Sequence, residues 1–329
     1  MSVNKRKTLV TGAAGFIGSH LVERLVRDGK QVRAFIHYNS RNDWGLLELL
    51  APDVRNDVEV VAGDIQDPFS VRKLVKACST VFHLASLIAI PYSYTAPQSY
   101  VTTNVLGAVN IMQACLDEEV ERVIHTSTSE CYGTAQYVPI DEKHPLQSQS
   151  PYAASKIGAD MIAESYWRSF GLPVATIRPF NTYGPRQSAR AVIPSIIIQA
   201  LQGHTVKLGA LTPLRDLNYV EDTVDGFLRV ATTPEAVGEV TNIGAGRETS
   251  IGEVAQLILT LLGSNVRIES DEQRMRPEKS EVERLLCDNE KARTMLGWQP
   301  EVSLEEGLRC TIEWFVEHQH RYKAHLYNV

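Results

Sequence analysis

The chain has 329 residues, 43% hydrophobic and 22% charged, which is enough apolar material for one large or two modest cores. Its formal charge of −6 excludes a basic surface able to release counterions from nucleic acid. Apolar runs such as Ala191–Ile198 are too short to cross a bilayer, and the N-terminal stretch is too short for a signal peptide. The expected protein is therefore cytoplasmic, with no membrane partner. Cys78, Cys115, Cys131, Cys287 and Cys310 are scattered and odd in number, and none has the spacing of a metal site. Buried free thiols and no bound metal are expected.

In chain order, residues 8–10 read as a strand and Phe16–Asp28 as a helix, with Ile17, Leu21, Val22, Leu25 and Val26 at helical spacing. Residues 32–36, 58–62, 80–85 and 122–126 read as further strands, near-continuously apolar as strands covered on both faces must be. Helical patterns lie between them at 68–78 and 99–116, followed by a helix over Tyr152–Phe170 and a strand over 173–178. This alternation predicts an α/β fold with right-handed crossovers and a parallel, doubly wound sheet. After Arg178 the pattern loosens into a turn-rich run to Pro194, a helix over 192–202, short strands and further helices. No repeat or linker separates the two parts. The expected organisation is a Rossmann-like domain over 1–178, to which some later segments return, and a smaller interleaved α/β domain over 179–329. Both are expected to line one cleft.

The turn between the first strand and helix reads Thr11-Gly12-Ala13-Ala14-Gly15-Phe16-Ile17-Gly18. Gly12 permits a tight turn, Gly15 lets the backbone approach a pyrophosphate, and Gly18 allows close helix–strand packing. The helix start adds unpaired N–H groups and a positive dipole end. A bound dinucleotide is expected, held by Gly12, Ala14, Gly15, Phe16, Ile17 and Gly18. The GxxGxxG spacing resembles the extended branch of the short-chain dehydrogenase/reductase superfamily. By that resemblance, Asp64 and Ile65 contact the adenine side, Leu84 and Ala85 lie on the nicotinamide side, and Asn104 kinks a helix. The second strand runs into Phe35-Ile36-His37-Tyr38-Asn39-Ser40-Arg41 with no acid before Asp43. An acid there would bind the ribose 2′-hydroxyl of NAD. Its absence, with Arg41 nearby, leans towards the 2′-phosphate of NADP; NAD with a solvated Arg41 is the alternative.

Of the tyrosines, Tyr152 alone has a lysine four residues on, Lys156, and helical spacing puts both on one face. A tyrosine acting as base near neutrality needs its pKa lowered by about 3 units, roughly 4 kcal/mol. A neighbouring ammonium and a positive nicotinamide ring both favour the phenolate. Upstream, Thr126-Ser127-Thr128-Ser129-Glu130-Cys131-Tyr132-Gly133 crowds hydroxyls and a carboxylate behind the strand at 122–126. Read as extended chain, Thr128 and Glu130 face the same way. Thr128 takes the place of the superfamily's catalytic Ser/Thr. The Thr128-Ser129-Glu130 form resembles sugar-nucleotide 4,6-dehydratases, nearer the GDP-mannose type than the dTDP-glucose type. UDP-glucuronate decarboxylases share it, and 4-epimerases usually lack the carboxylate, so the motif alone leaves the reaction open.

Residues 88–94, 178–194 and 276–286 are most similar to the 4,6-dehydratases assigned to legionaminic acid biosynthesis. The resemblance spans essentially the whole chain. It implies dehydration of a nucleoside-diphosphate hexose, of UDP- or GDP-N-acetylglucosamine type or GDP-mannose, to its 4-keto-6-deoxy derivative. A 4-epimerase or UDP-glucuronate decarboxylase is the alternative. Glu130 would be the base at C5, with Ser129 relaying a proton. The resemblance places Asn181, Arg215 and Arg276 on the diphosphate, with Arg186 and Tyr92 as further substrate candidates, and implies a homodimer through helices 99–116 and 152–168. Arginine suits phosphate because its fork binds two oxygens at once. His83 and His125 lie in apolar strand runs and read as satisfied core histidines. Asp216 and Asp222 read as caps or bridges.

Overall fold

The computed structural model describes residues 6–203 and 205–322. Residues 1–5, within the N-terminal stretch read above as too short for a signal peptide, lie outside the described residues. Twelve strands are described: β1 (Lys7–Thr11), β2 (Val32–His37), β3 (Val58–Gly63), β4 (Cys78–His83), β5 (Arg122–Thr126), β6 (Val174–Pro179), β7 (Asn181–Tyr183), β8 (Val206–Leu208), β9 (Leu214–Tyr219), β10 (Val240–Ile243), β11 (Glu248–Ser250) and β12 (Ile268–Ser270). Seven form one parallel sheet in the order β10-β6-β5-β4-β1-β2-β3. The expected Rossmann-like doubly wound sheet is thus present. The chain reverses direction across the sheet between β1 and β4, and the crevice outside their carboxyl ends is where such sheets place ligands.

Leu9, Val10, Ala34, Val81, Val123, Ile124 and Ile177 are fully buried, because helices cover both faces of the sheet. One covering helix comes from the second half of the chain. Val220–Thr232 lays Phe227 against Phe82 of β4, ring centroids 6.4 Å apart. The next strand, β10, then joins the sheet beside β6. A second apolar core gathers Ile193, Ile196 and Ile197 with Val254, Ile258, Leu308 and Phe315. Around it lie the small sheets β11-β9-β7 and β12-β8.

The helix expected over 99–116 is present within a continuous helical run, Pro97–Tyr100, a π-helical turn over Val101–Leu106, and Gly107–Asp117, with the irregularity at the position where Asn104 was expected to kink it. Asn104 sits within the turn. Its Oδ1 accepts from Leu87 N at 2.8 Å, and its Nδ2 donates to the Leu87 carbonyl and to Ser155 Oγ, each at 2.9 Å. The widened turn points this amide at the loop after β4 and at the helix Pro151–Phe170. The cysteines depart once from expectation: Cys78, Cys115, Cys131 and Cys287 are buried, but Cys310 is exposed. Among the described residues no helix is long and apolar enough to cross a membrane.

Candidate active site

The Gly-rich turn is shaped by steric necessity. Gly12 has φ +69°, and a Cβ there would lie 2.8 Å from Ala85 N and 2.9 Å from the Leu84 carbonyl carbon. The turn therefore closes directly onto the loop after β4, and Leu84 N and Ala85 N both donate to Thr11 Oγ1 at 3.1 Å. A Cβ on Gly18 would stand 2.2 Å from the Gly12 carbonyl, so the helix Phe16–Arg27 can pack on the turn only with glycine there. Gly15 is exposed and forms the N-cap with no side-chain cap, which leaves first-turn N–H groups available to an anion. Ala14, Phe16 and Ile17 line the same corner. The cradle fits a dinucleotide pyrophosphate.

At the ribose end, β2 stops at His37 and the chain makes a side-chain-held loop. Asn39 Oδ1 accepts from Arg41 N at 3.2 Å and Asp43 N at 3.0 Å, and Asp43 Oδ1 accepts from Gly45 N at 2.6 Å. Asn39 and Asp43 are thus committed to the loop itself, and Arg41 is exposed. After β3, Asp64 Oδ1 accepts from Gln66 N at 2.9 Å. Ile65 is 5% exposed and faces Gly107, where a Cβ would meet it at 3.1 Å.

The catalytic candidates gather at the carboxyl ends of β4 and β5. Strand β5 ends at Thr126. Thr128 is still extended (φ −158°, ψ 148°), but a 3₁₀ turn over Ser129–Tyr132 follows at once. The expected alternation of extended chain therefore does not apply to Thr128 and Glu130. They are joined instead by a cap, in which Glu130 N donates to Thr128 Oγ1 at 3.2 Å. Ser129 and Glu130 are 2% and 9% exposed. Ser150 caps the helix Pro151–Phe170, accepting from Ala153 N at 3.1 Å, and that helix presents Tyr152 and Lys156.

Thr128 hydrogen-bonds the Tyr152 phenol, which lowers its pKa, but burial dominates and holds it above its ordinary value. Glu130 adds to the upward push. Lys156 Nζ donates to the Thr126 carbonyl at 2.6 Å, and burial pushes its pKa down. The chain alone therefore does not make a phenolate. A cation beside the ring would supply the lowering that a base requires.

Behind these groups lies a buried ionic network that the sequence reading missed. Asp160 accepts from Arg178 Nη2 at 2.8 Å, from Ser127 Oγ at 2.5 Å, and pairs with His125 Nε2 at 3.0 Å. Arg178 also donates to Tyr132 Oη at 2.8 Å. Hydrogen bonding from His125 and the charge of Arg178 hold Asp160 well below the usual carboxylate range despite its burial. The signal was present: Tyr152, Lys156 and Asp160 recur every four residues along one helix face. His125 thus has a partner, and His83 Nδ1 pairs with Thr11 Oγ1 at 3.0 Å. Asp216 and Asp222 hold loops, accepting from Ala245, Gly246 and Cys287 N–H and from Glu301 and Val302 N–H respectively.

The substrate candidates divide. Arg215 is 6% exposed and pairs with Glu281 at 3.0 Å. Arg276 lies 3.8 Å from the same carboxylate. Burial lowers the pKa of Arg215, and the Glu130 carboxylate is the largest opposing influence, so the arginine cluster and the catalytic turn share one field. Asn181 opens β7 with its Oδ1 buried and without a hydrogen-bond partner among the described residues. Tyr92 is 43% exposed and stands 6.2 Å from the Tyr100 ring, itself 6.3 Å from Tyr152. Arg186 is committed elsewhere: in a left-handed conformation (φ +68°) it forms an ion pair with Glu23 on the first helix.

A Gly-rich strand–turn–helix corner and a Thr/Tyr/Lys constellation on a parallel doubly wound sheet are the features of a dehydrogenase-type fold. Comparison with known proteins agrees. Residues 9–311 match the family described as GDP-mannose 4,6 dehydratase, and the chain belongs to that family. It is 37% identical to the UDP-glucose 4-epimerase of Mycolicibacterium smegmatis, over 94% of this chain and 98% of that protein. Among solved structures, Pal from Bacillus thuringiensis superposes with TM-score 0.86 at 34% identity, covering 95% of this chain and 99% of that one. DesIV of Streptomyces venezuelae, a dTDP-glucose 4,6-dehydratase double mutant described with NAD bound, gives TM-score 0.86 at 30% identity, covering 96% and 98%. The relatives therefore include both dehydratases and epimerases.

Proposed function

We propose that the protein is a sugar-nucleotide 4,6-dehydratase acting on a nucleoside-diphosphate hexose, of UDP- or GDP-N-acetylglucosamine type or GDP-mannose. Glu130 carries this reading. Exchange at C4 alone needs one acid–base group, which Tyr152 supplies. Glu130, buried and held beside Thr128 by the bond from its backbone N–H to Thr128 Oγ1, adds a carboxylate as second base, as removal of the C5 proton requires. When bound, the dinucleotide holds the C4 hydride between the two halves of the reaction. Tyr152 accepts the C4 hydroxyl proton while Thr128 hydrogen-bonds the same oxygen. Lys156, anchored on the Thr126 carbonyl, brings a positive charge to that side. The C4 ketone acidifies C5–H, and Glu130 removes that proton. Glu130 then gives a proton to the departing C6 hydroxyl, directly or through Ser129. Water leaves, the hydride ends on C6 and a proton on C5. No external reductant is consumed.

Asn181, Arg215 and Arg276 hold the diphosphate in this reading, and Tyr92 borders the sugar. For the cofactor we propose NADP, supported by the exposed Arg41 and the lack of an acid at the end of β2. The NAD named for DesIV supports the alternative. Tighter NAD than NADP binding by the cofactor-free protein would contradict the preference. Exposed Val101, Leu106 and Met161 on the helical stretches 97–117 and 151–170 support the homodimer. Placement with the legionaminic acid enzymes rests on the sequence resemblance alone.

The identity to a 4-epimerase favours a second reading, in which the same hydride step inverts C4. Mass spectrometry of products from UDP-GlcNAc, GDP-GlcNAc, GDP-mannose, dTDP-glucose and UDP-glucuronate, without added reductant, separates them. Loss of one water from one substrate is expected. Unchanged mass with altered retention would mean epimerisation, and loss of carbon dioxide a decarboxylase.

A further inference from the structure

The arginines assigned to the diphosphate already have an anion, and it belongs to the chain. Arg215 Nη2 meets Glu281 Oε1 at 3.0 Å, and Arg276 Nη1 lies 3.8 Å from the same oxygen. One carboxylate oxygen thus stands between two guanidinium groups. Among the described residues the Arg215 side chain makes one other hydrogen bond, to the Leu214 carbonyl at 3.0 Å, and Arg276 Nη1 makes none.

Glu281 is also docked through its backbone, independently of the side-chain ion pair. Its carbonyl accepts from Gln149 Nε2 at 3.2 Å and Thr134 Oγ1 at 3.4 Å. The preceding Ser280 donates to the Gln149 carbonyl at 2.6 Å and shares a hydrogen bond with Tyr94 at 2.5 Å. Breaking the ion pair with Arg215 would therefore leave these docking contacts in place. Arg215 and Arg276 repel one another; Glu130 adds to the field on Arg215, but Glu281 is the carboxylate within ion-pair distance of both, a single negative charge between two positive ones. A diphosphate diester offers two, with oxygens spaced to meet both forks.

We infer that Glu281 is an internal counter-anion, displaced from the Arg215–Arg276 pair by the diphosphate, and that it thereby sets the affinity threshold for anions entering the site. The inference rests on the reading of this pair as the diphosphate site. Removing the carboxylate removes a competitor, so binding tightens. A carboxylate that merely orients the arginines would give the opposite sign.

Calorimetric titration of the holoenzyme with UDP, GDP and dTDP tests it on the wild type, Glu281→Gln and Glu281→Asp. The expected result is about tenfold tighter binding of the preferred nucleotide by Glu281→Gln. Glu281→Asp, with the charge kept but drawn back by one methylene, should fall between the two; it serves as the deciding variant if the amide fails to fold. Equal or weaker binding by the folded variant overturns the inference and leaves the diphosphate site standing. A wild type that binds none of the three nucleotides overturns the reading of the arginine pair, and the inference with it.

Discussion

The two walls of the cleft are built in different ways. The proposed cofactor wall is largely contiguous in sequence: one strand, a four-residue turn and one helix form the cradle, through backbone N–H groups and missing side chains. The proposed substrate wall is assembled from four separate segments, carrying Glu130, Asn181, Arg215 and the pair Arg276 and Glu281, and would work through side-chain charge and polarity. Recognition by backbone can be written locally, because a glycine has the same consequence wherever the turn forms. Recognition by charge depends on which segments the topology brings together.

That contrast predicts separable failures. The largest effect is expected from Gly18→Ala, whose Cβ would stand 2.2 Å from the Gly12 carbonyl. Backbone cannot yield as a flexible side chain would, so cofactor titration should show binding lost and all turnover with it. Arg215→Leu should spare cofactor affinity yet raise KM for the nucleotide sugar about 30-fold, from roughly 2 kcal/mol for truncating one member of a buried charge pair. Equal damage to both affinities would erase the distinction between the walls. The smallest effect belongs to Arg41→Ala. As an exposed charge it should weaken NADP by about fivefold and leave NAD unchanged.

The same contrast decides what could be read from the sequence. The strands β1 to β6, the Gly-rich turn and the Tyr152/Lys156 pair were legible, since each is a local pattern of apolar run, glycine spacing or helical repeat. Strand β5 ends at Thr126 as read, but the extended chain assumed beyond it stops at Thr128: Thr128 Oγ1 takes Glu130 N, and a 3₁₀ turn begins. The cap keeps the two residues adjacent through the Glu130 backbone, by a route that alternation did not foresee. The partner of Arg186 was not legible, because an arginine in a turn-rich loop looks the same whether it meets a phosphate or Glu23. Glu281 was hidden in a charged run, and nothing in RPEKSEVER marks which acid turns inward. Asp160 was the missed opportunity, one turn beyond Lys156 on the same face.

The central claim is that Glu130 performs the elimination and not the oxidation. Single-turnover kinetics of Glu130→Gln on the accepted substrate tests it most directly, following reduced-nicotinamide absorbance and product mass together. The account predicts that reduced cofactor forms and persists, while water loss falls by about 10²–10⁴-fold. Water loss at the wild-type rate would contradict it, and so would a variant unable to reduce its cofactor at all.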